Sequence, residues 1–393
     1  MIKAHKIRLN PTPEQAVYFA KAAGTARFVW NWALAEWNRQ YEAGEKPTAF
    51  KLKKQFNEIR REQFPWTWEV TKSASDQPFL DLGKAFTAFF EGLKNGKRKG
   101  RPTFKSKKRS KASFYLANDQ FELGDHRIWI PKLGWVNMAE NLRFQGKVSG
   151  ARITKTADWW FVSITVEMRH AEKADPRTPA VGIDVGLNRL ATLSTGEGYE
   201  NQAFLRTALG KLRQANKRLH RRVKGSKNRE KARWQVARLH YRITCLRDDV
   251  LHKLTTRIAS CYGIIGIEDL NLKGLLKNRR LSRSFSDAAL GKLLNLLTSK
   301  VEQRGGQVIK VDRFFPSSKT CHCCGWKWKE MELSDRTFIC QNKSCAYYQF
   351  AQDRDHNAAL CILCEALRLI GLIDQAVDGI GSDDDVNLAV DAG

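Results

Sequence analysis

The sequence predicts a multidomain α+β protein whose second half has the strand order of an RNase H-like α/β fold. Three observations carry that prediction. Residues 12–92 hold apolar side chains at three-to-four spacing, the period of helices. Residues 113–167 hold six short runs rich in Val, Ile, Phe and Trp, parted by turn residues. Beyond Pro179 come three strand-like runs, and then helix and strand alternate.

Residues 1–10 alternate apolar and basic, as a strand would, and Pro11 and Pro13 stop them. One predicted helix carries Phe28, Val29, Trp32 and Leu34; another runs from Phe79 through Leu82, Phe86 and Phe90. Their large aromatics read as core rather than as nucleic-acid stackers. Next comes GKRKGRPTFKSKKRSKASF, from Gly96 to Phe114, too rich in Gly, Pro and charge for a core helix. It reads as a strap that tracks phosphates with Lys97, Arg98, Lys99, Arg101, Lys105, Lys107, Lys108 and Arg109; a solvated loop is the plainer alternative. The six strands that follow suit a small β-barrel or an antiparallel sheet, and the barrel form suits nucleic-acid binding.

Pro176 to Pro179 marks a domain boundary. AVGIDVG, RLATLST and EGYENQAF read as three strands, and residues 205–260 as a helix pair broken near Gly225. YGIIGIEDL is a fourth strand, 286–304 a helix and QVIKVD a fifth strand. The predicted organisation is 1–10 with 113–175 as the β-barrel, 11–112 helical, 176–315 with 351–372 as the α/β domain, 316–350 as an inserted zinc finger, and 373–393 as an acidic tail. That tail reads as disordered, the alternative being a polyanion mimic resting in a DNA channel.

Charge narrows the function. The 393 residues contain 68 Lys and Arg against 41 Asp and Glu, a net charge of +27. A surface this positive repels itself and is the footprint of a polyanionic partner. Residues 211–250 alone hold 14 Lys or Arg against three acids, too many for a simple solvated helix face. No run approaches the roughly 20 apolar residues that span a bilayer. The N-terminus lacks the apolar stretch of a signal peptide, so a cytoplasmic location is expected. In that setting nine cysteines read as metal ligands and core residues rather than disulfides.

Acids at apolar strand ends are conspicuous, because a buried carboxylate must be paired or bound to a metal. Asp184 sits inside AVGIDVG, and Glu268 ends IIGIE. In AQDRDHNAALCILCEAL, Asp355 shares a helix face with Ala359, Ile362 and Ala366, the stripe that must pack on the sheet. Asp353 lies off that face and is better placed as a helix cap. Three converging carboxylates suit a pair of Mg²⁺ ions and phosphodiester hydrolysis.

Cys321-x2-Cys324 and Cys340-x4-Cys345, about 15 residues apart, have the spacing of one tetrahedral zinc site. The second half is wider than the usual C-x2-C. Cys323 is a spare thiol there and His322 an alternative ligand. Cys361 and Cys364 read as incidental, off the apolar stripe and without a partner pair. Cys245 and Cys261 read as core or helix-surface residues.

Together RFVWNWAL, GRPTFKSKK, GIDVGLNRLATLS, GIEDLNLKGLLKN, FFPSSKTCHCCG and DRDHNAAL resemble the TnpB (OrfB) family, transposon-encoded relatives of compact type V CRISPR effectors. The resemblance spans nearly the whole chain. It implies a β-barrel wedge domain interrupted by a helical recognition lobe, then a RuvC nuclease domain with an inserted zinc finger. It maps the family's catalytic acids onto Asp184, Glu268 and Asp355. It further implies a guide RNA from the transposon end, double-stranded DNA as target and a short flanking motif; monomer is the state favoured for the chain. Lys72, Asp76 and Gln77 in EVTKSASDQ, with Asn118, are the implied readers of that motif. Cys361 stands where the family places Asn, which removes a side-chain amide near the site. A nuclease-inactive RNA-guided regulator and an RNA-independent transposase or resolvase are the competing functions.

Overall fold

The architecture is that of a computed structural model, which describes residues 2–96, 100–168, 179–332 and 334–373. The chain divides into two compact units, Met1–Arg169 and His170–Gly393. The predicted boundary at 176–178 and residues 374–393 of the acidic tail lie outside the described residues.

The first unit opens with β1 (Ile2–Asn10) and the long helix α1 (Pro13–Glu42). Thr12 caps α1 reciprocally with Gln15, and Pro13 at the first helical position fixes the entering backbone. Helices α2 (Ala49–Gln63) and α3 (Lys72–Lys94) complete the helical part. Val29, Leu34, Leu52, Phe56, Phe79, Leu82 and Phe86 form its core, with Trp37 stacked on Phe86 at 4.2 Å. The aromatics are core, as their spacing predicts, although Phe90 is exposed. Helix α3 starts seven residues before the expected Phe79 and accommodates Pro78, whose ring is buried.

Strands β2 (Ser113–Ala117), β3 (Glu122–Gly124), β4 (Arg127–Ile130), β5 (Gly134–Met138), β6 (Lys147–Thr156) and β7 (Trp159–Glu167) then form one antiparallel sheet with β1. Its order is β2-β6-β7-β1-β5-β4-β3, so the N-terminal strand sits at its centre. Alternate residues of β1 (Ile7, Leu9) and β7 (Val162, Ile164, Val166) face a core shared with Phe19, Ala22 and Ala23 of α1. No pair between β2 and β3 closes the order into a ring among the described residues.

The second unit contains β8 (Ala180–Asp184), β9 (Arg189–Leu193), β10 (Gly198–Glu200), α4 (Phe204–His220), α5 (Lys227–Cys261), β11 (Ile264–Glu268), α6 (Leu272–Lys277), α7 (Ser282–Ala288), α8 (Leu290–Gln303) and β12 (Gln307–Val311). Two short strands, β13 (Thr337–Ile339) and β14 (Ala351–Asp353), precede α9 (Arg354–Leu369). The main sheet runs β10-β9-β8-β11-β12, with β8, β11 and β12 parallel and the other pairs antiparallel. Its two faces are unlike. Val181, Ile183, Ile265 and Ile267 pack with Leu251, Leu254, Leu293 and Leu297 of α5 and α8. The alternate residues Gly182 and Gly266 lie under α9. A Cβ on Gly182 would meet the Ala359 carbonyl at 2.0 Å, and one on Gly266 the Ala366 Cβ at 2.8 Å. Glycine is what lets α9 lie this close to the sheet.

Candidate functional site

The carboxylates are placed by strand register. Strands β8 and β11 are parallel neighbours in which Gly182 pairs with Gly266 and Ile183 with Ile267. One step on, Asp184 and Glu268 end the two strands, on the same face as the glycines. Asp184 thus ends its strand rather than sitting inside it. On α9, Asp355 lies one turn before Ala359, the residue over Gly182. Strand ends and helix start therefore bring the three acids together. Burial first, then the charges of Glu268 and Asp355, push the Asp184 carboxyl from 3.8 to about 7, with Arg354 opposing.

Each of the other two acids has a partner. Ser317, itself buried, donates its hydroxyl to Glu268 Oε1. Arg354 donates to Asp355 Oδ1 at 3.0 Å and to the Asp335 carbonyl at 2.9 Å. Asp353 caps α9, accepting from the backbone N–H of Asp355 and His356, and pairs with Arg189 at 2.9 Å. That is the capping role its place in the sequence predicts. Sequence reasoning missed Ser317, Arg354 and the two glycines. A glycine inside each apolar run, AVGID and IIGIE, was the available signal of close backbone approach.

The cysteines form a second cluster. Their four sulfurs lie within 4.8 Å of one another, with Cys321–Cys345 at 3.8 Å and Cys324–Cys340 at 3.6 Å. Tetrahedral zinc thiolate bonds near 2.3 Å require sulfurs about 3.8 Å apart, so the set fits zinc. Burial pushes the Cys340 thiol up to about 12, and Cys321 also rises. A bound cation would reverse that penalty by taking thiolates. His322 is not part of the gathered set, and its Nδ1 lies 3.0 Å from Asn357 Oδ1. Cys323 is buried beside the set.

Among the described residues, the cysteines are the one set of three or more His, Cys, Asp or Glu ligand atoms gathered this closely. The acids stand wider apart. That suits hard Mg²⁺, which keeps several waters and is held by few carboxylates plus a substrate phosphate.

Helix α9 links the clusters. Asn357 donates to the Thr320 carbonyl at 2.7 Å and accepts from the His322 N–H at 3.1 Å, while the Cys361 thiol meets the same carbonyl at 3.3 Å. One expectation changes here. Cys361 and Cys364 are not off an apolar stripe, because α9 is buried on all sides from Asn357 to Leu367. Cys245 and Cys261 are exposed on α5.

The expected nucleic-acid contacts are mixed. Lys97, Arg98 and Lys99 lie outside the described residues. Arg101, Lys107, Lys108 and Arg109 are exposed, and Arg101 bonds Asn38 at 2.8 Å. Lys105 is not a free strap residue. Asn31 clamps its backbone on both sides, its ammonium lies 3.5 Å from the Trp30 ring centre, and burial lowers its pKa. Lys72 and Asn118 are exposed, their neighbourhoods tied by the Ala117 N–H to Ser73 Oγ bond. Asp76 is paired with Lys53 at 2.8 Å and Gln77 with Asp81 at 2.8 Å, so neither side chain is uncommitted. No helix among the described residues is long and apolar enough to cross a membrane.

This fold is Cas12f1-like. It matches the protein chain of a solved Cas12f1–sgRNA–target DNA complex with a TM-score of 0.56 at 17% identity, covering 89% of this chain and 82% of that one. Residues 291–362 match the Cas12f1-like TNB domain, residues 163–279 the OrfB_IS605 family ("Probable transposase"), and residues 1–46 its "Helix-turn-helix domain". Those last residues form β1 and the single 30-residue helix α1 here, not two helices about a turn. A Streptomyces pristinaespiralis protein named "Putative RNA-guided DNA endonuclease" is 34% identical over 93% of this chain and 89% of its own length. An Escherichia coli K12 protein, "Putative RNA-guided DNA endonuclease InsQ", is 31% identical over 86% and 87%. The chain belongs to the TnpB (OrfB) family.

Proposed function

We infer that this chain is an RNA-guided endonuclease that hydrolyses double-stranded DNA beside a short flanking motif, using a RuvC-like site. The observation that carries the reading is the gathering of Asp184, Glu268 and Asp355 at the ends of β8 and β11 and the start of α9. Family membership and the relatives' names supply the RNA-guided part. The order β10-β9-β8-β11-β12 supports the RNase H-like assignment, and the first unit's seven-stranded sheet, packed on α1, is read as the wedge beside a helical recognition lobe.

Asp184, Glu268 and Asp355 would hold Mg²⁺. Bound there, the metal would supply Lewis-acid stabilisation of charge on the phosphate and a more acidic water. The protein's own contribution is placement. Ser317 orients the Glu268 carboxylate, Arg354 that of Asp355, and Asp353 holds the first turn of α9 in register. The cysteine set would hold one zinc that folds a segment too small to bury a core of its own. The basic helices α4 and α5 and the exposed strap residues would carry guide and target phosphates, with Lys72 and Asn118 the foremost motif readers. Sequencing the RNA that co-purifies with the protein tests this reading: transposon-end RNA is expected, and RNA-free active protein would refute it.

A second reading rests on the family description "Probable transposase". An RNA-independent strand-transfer enzyme would use the same acids, but would join DNA ends without any guide. Product analysis separates the two.

A further inference from the structure

In the first unit, Arg60 of α2 is 3% exposed, and its guanidinium serves one turn. Its Nε donates to Thr67 Oγ1 at 2.8 Å, its Nη2 to the Thr67 carbonyl at 3.0 Å, and its Cζ lies 4.1 Å from the Trp68 ring centre. Burying a cation is costly. What it secures is the short 3₁₀ turn Pro65–Glu69, also held by Thr67 bonding the Phe64 carbonyl and by Lys132 bonding that of Trp68. This fixed turn carries Trp66 and Trp68, which are 42% and 52% exposed. Large aromatic rings locked in solvent by a buried arginine serve contact with a partner better than they serve packing.

Trp66 also stands edge-on to Phe28 at 5.0 Å, and both border a cleft of about 520 Å³. Lys21, Gly24, Thr25, Arg27 and Glu69 line the rest. Lys21 and Glu69 are paired at 2.6 Å. Arg27 is half-buried and has no hydrogen bond or ion pair among the described residues. The cleft thus combines an aromatic wall, an uncommitted guanidinium and a carboxylate able to accept from an exocyclic amine. In a chain of net charge +27 the complementary ligand is part of a polyanion, and the flat wall favours one with planar rings.

We propose that this cleft holds one unstacked nucleotide of a single strand, its base against Trp66 and its phosphate on Arg27. The site extends the reading above but needs neither its guide nor its cleavage step. The test uses the full-length chain, freed of RNA, with a short oligocytidylate and a short oligodeoxycytidylate, each carrying an internal 2-aminopurine. Wild type should quench the 2-aminopurine emission. Trp66→Ala should abolish the quenching and weaken binding about tenfold, while Trp66→Phe keeps most of both. Arg27→Gln should weaken binding and reduce the log–log salt slope by about 0.7. Binding of a short duplex should not change in any variant. Tighter oligocytidylate binding assigns the nucleotide to guide RNA, and tighter oligodeoxycytidylate binding to a DNA strand; either supports the site. Unaltered quenching and affinity in Trp66→Ala, with an unchanged unfolding midpoint, would overturn it. So would a Trp66→Phe variant as weak as Trp66→Ala. A chain that cuts with its guide but shows no Trp66-dependent quenching loses this site alone; one that quenches without cutting keeps it.

Discussion

The three carboxylates and the four cysteines are built in opposite ways. Asp184, Glu268 and Asp355 stand on two strand ends and a helix start, where register and the glycine contacts set their directions. The cysteines stand mainly on turns, where Cys321 bonds Gly325 and Trp326 through its backbone and Cys345 bonds Asn342. The acids are spread apart, while the sulfurs close on one point. Open geometry on a rigid scaffold suits a metal that must meet substrate; closed geometry on turns suits a metal that replaces a core. Helix α9 makes the second support the first, because Asn357 docks the cysteine loop two residues from Asp355.

That contrast can be broken by mutation. Asp184→Ala, Glu268→Ala and Asp355→Ala should each lower DNA cleavage by about 10³-fold or more, since several kcal/mol of charge stabilisation would depend on the metal they are proposed to hold. RNA and DNA binding should persist in gel-shift assays. Loss of binding along with cleavage would make these acids structural.

Cys340→Ser should empty the closed site. Metal analysis should fall from about one zinc per chain to near none, and the unfolding midpoint should drop with it. Cys361→Ser and Cys364→Ser should keep their zinc. Zinc loss on changing Cys361 would contradict the ligand set.

Smaller effects sharpen the scaffold argument. Gly182→Ala drives a methyl into the Ala359 carbonyl, so it should cost about 1–3 kcal/mol of stability and lower cleavage by shifting Asp355. Denaturant unfolding and a plasmid-cutting assay check both. Asp353→Ala removes only a cap and one exposed ion pair, worth about 1 kcal/mol. It should retain far more activity than Asp355→Ala. Equal loss in the two would defeat the helix-face argument.

The candidate residues of the site were more legible in the sequence than their supports. Acids ending apolar runs, and cysteines at knuckle spacing, announce themselves because burial makes them costly without a partner. Asp353 could be told from Asp355 by helix periodicity alone. The supports depend on long-range contacts that local pattern does not encode. Lys105 reads as a strap residue until Trp30 and Asn31, over 70 positions away, are seen to hold it. Cys361 and Cys364 look stray until the cysteine loop and the sheet are seen to bury α9 on all sides. The Arg60 device was equally hidden, since an arginine in a basic helix gives no sign that it is buried.

The central claim is that base pairing with a guide directs cutting at Asp184, Glu268 and Asp355. The most direct measurement incubates the protein and Mg²⁺ with one linear duplex carrying a randomised flank, using either matched or scrambled guide RNA. Cutting is expected with the matched guide alone, confined to molecules with one short flanking motif and absent in Asp355→Ala. Cutting that ignores the guide, or that survives in Asp355→Ala, would contradict it.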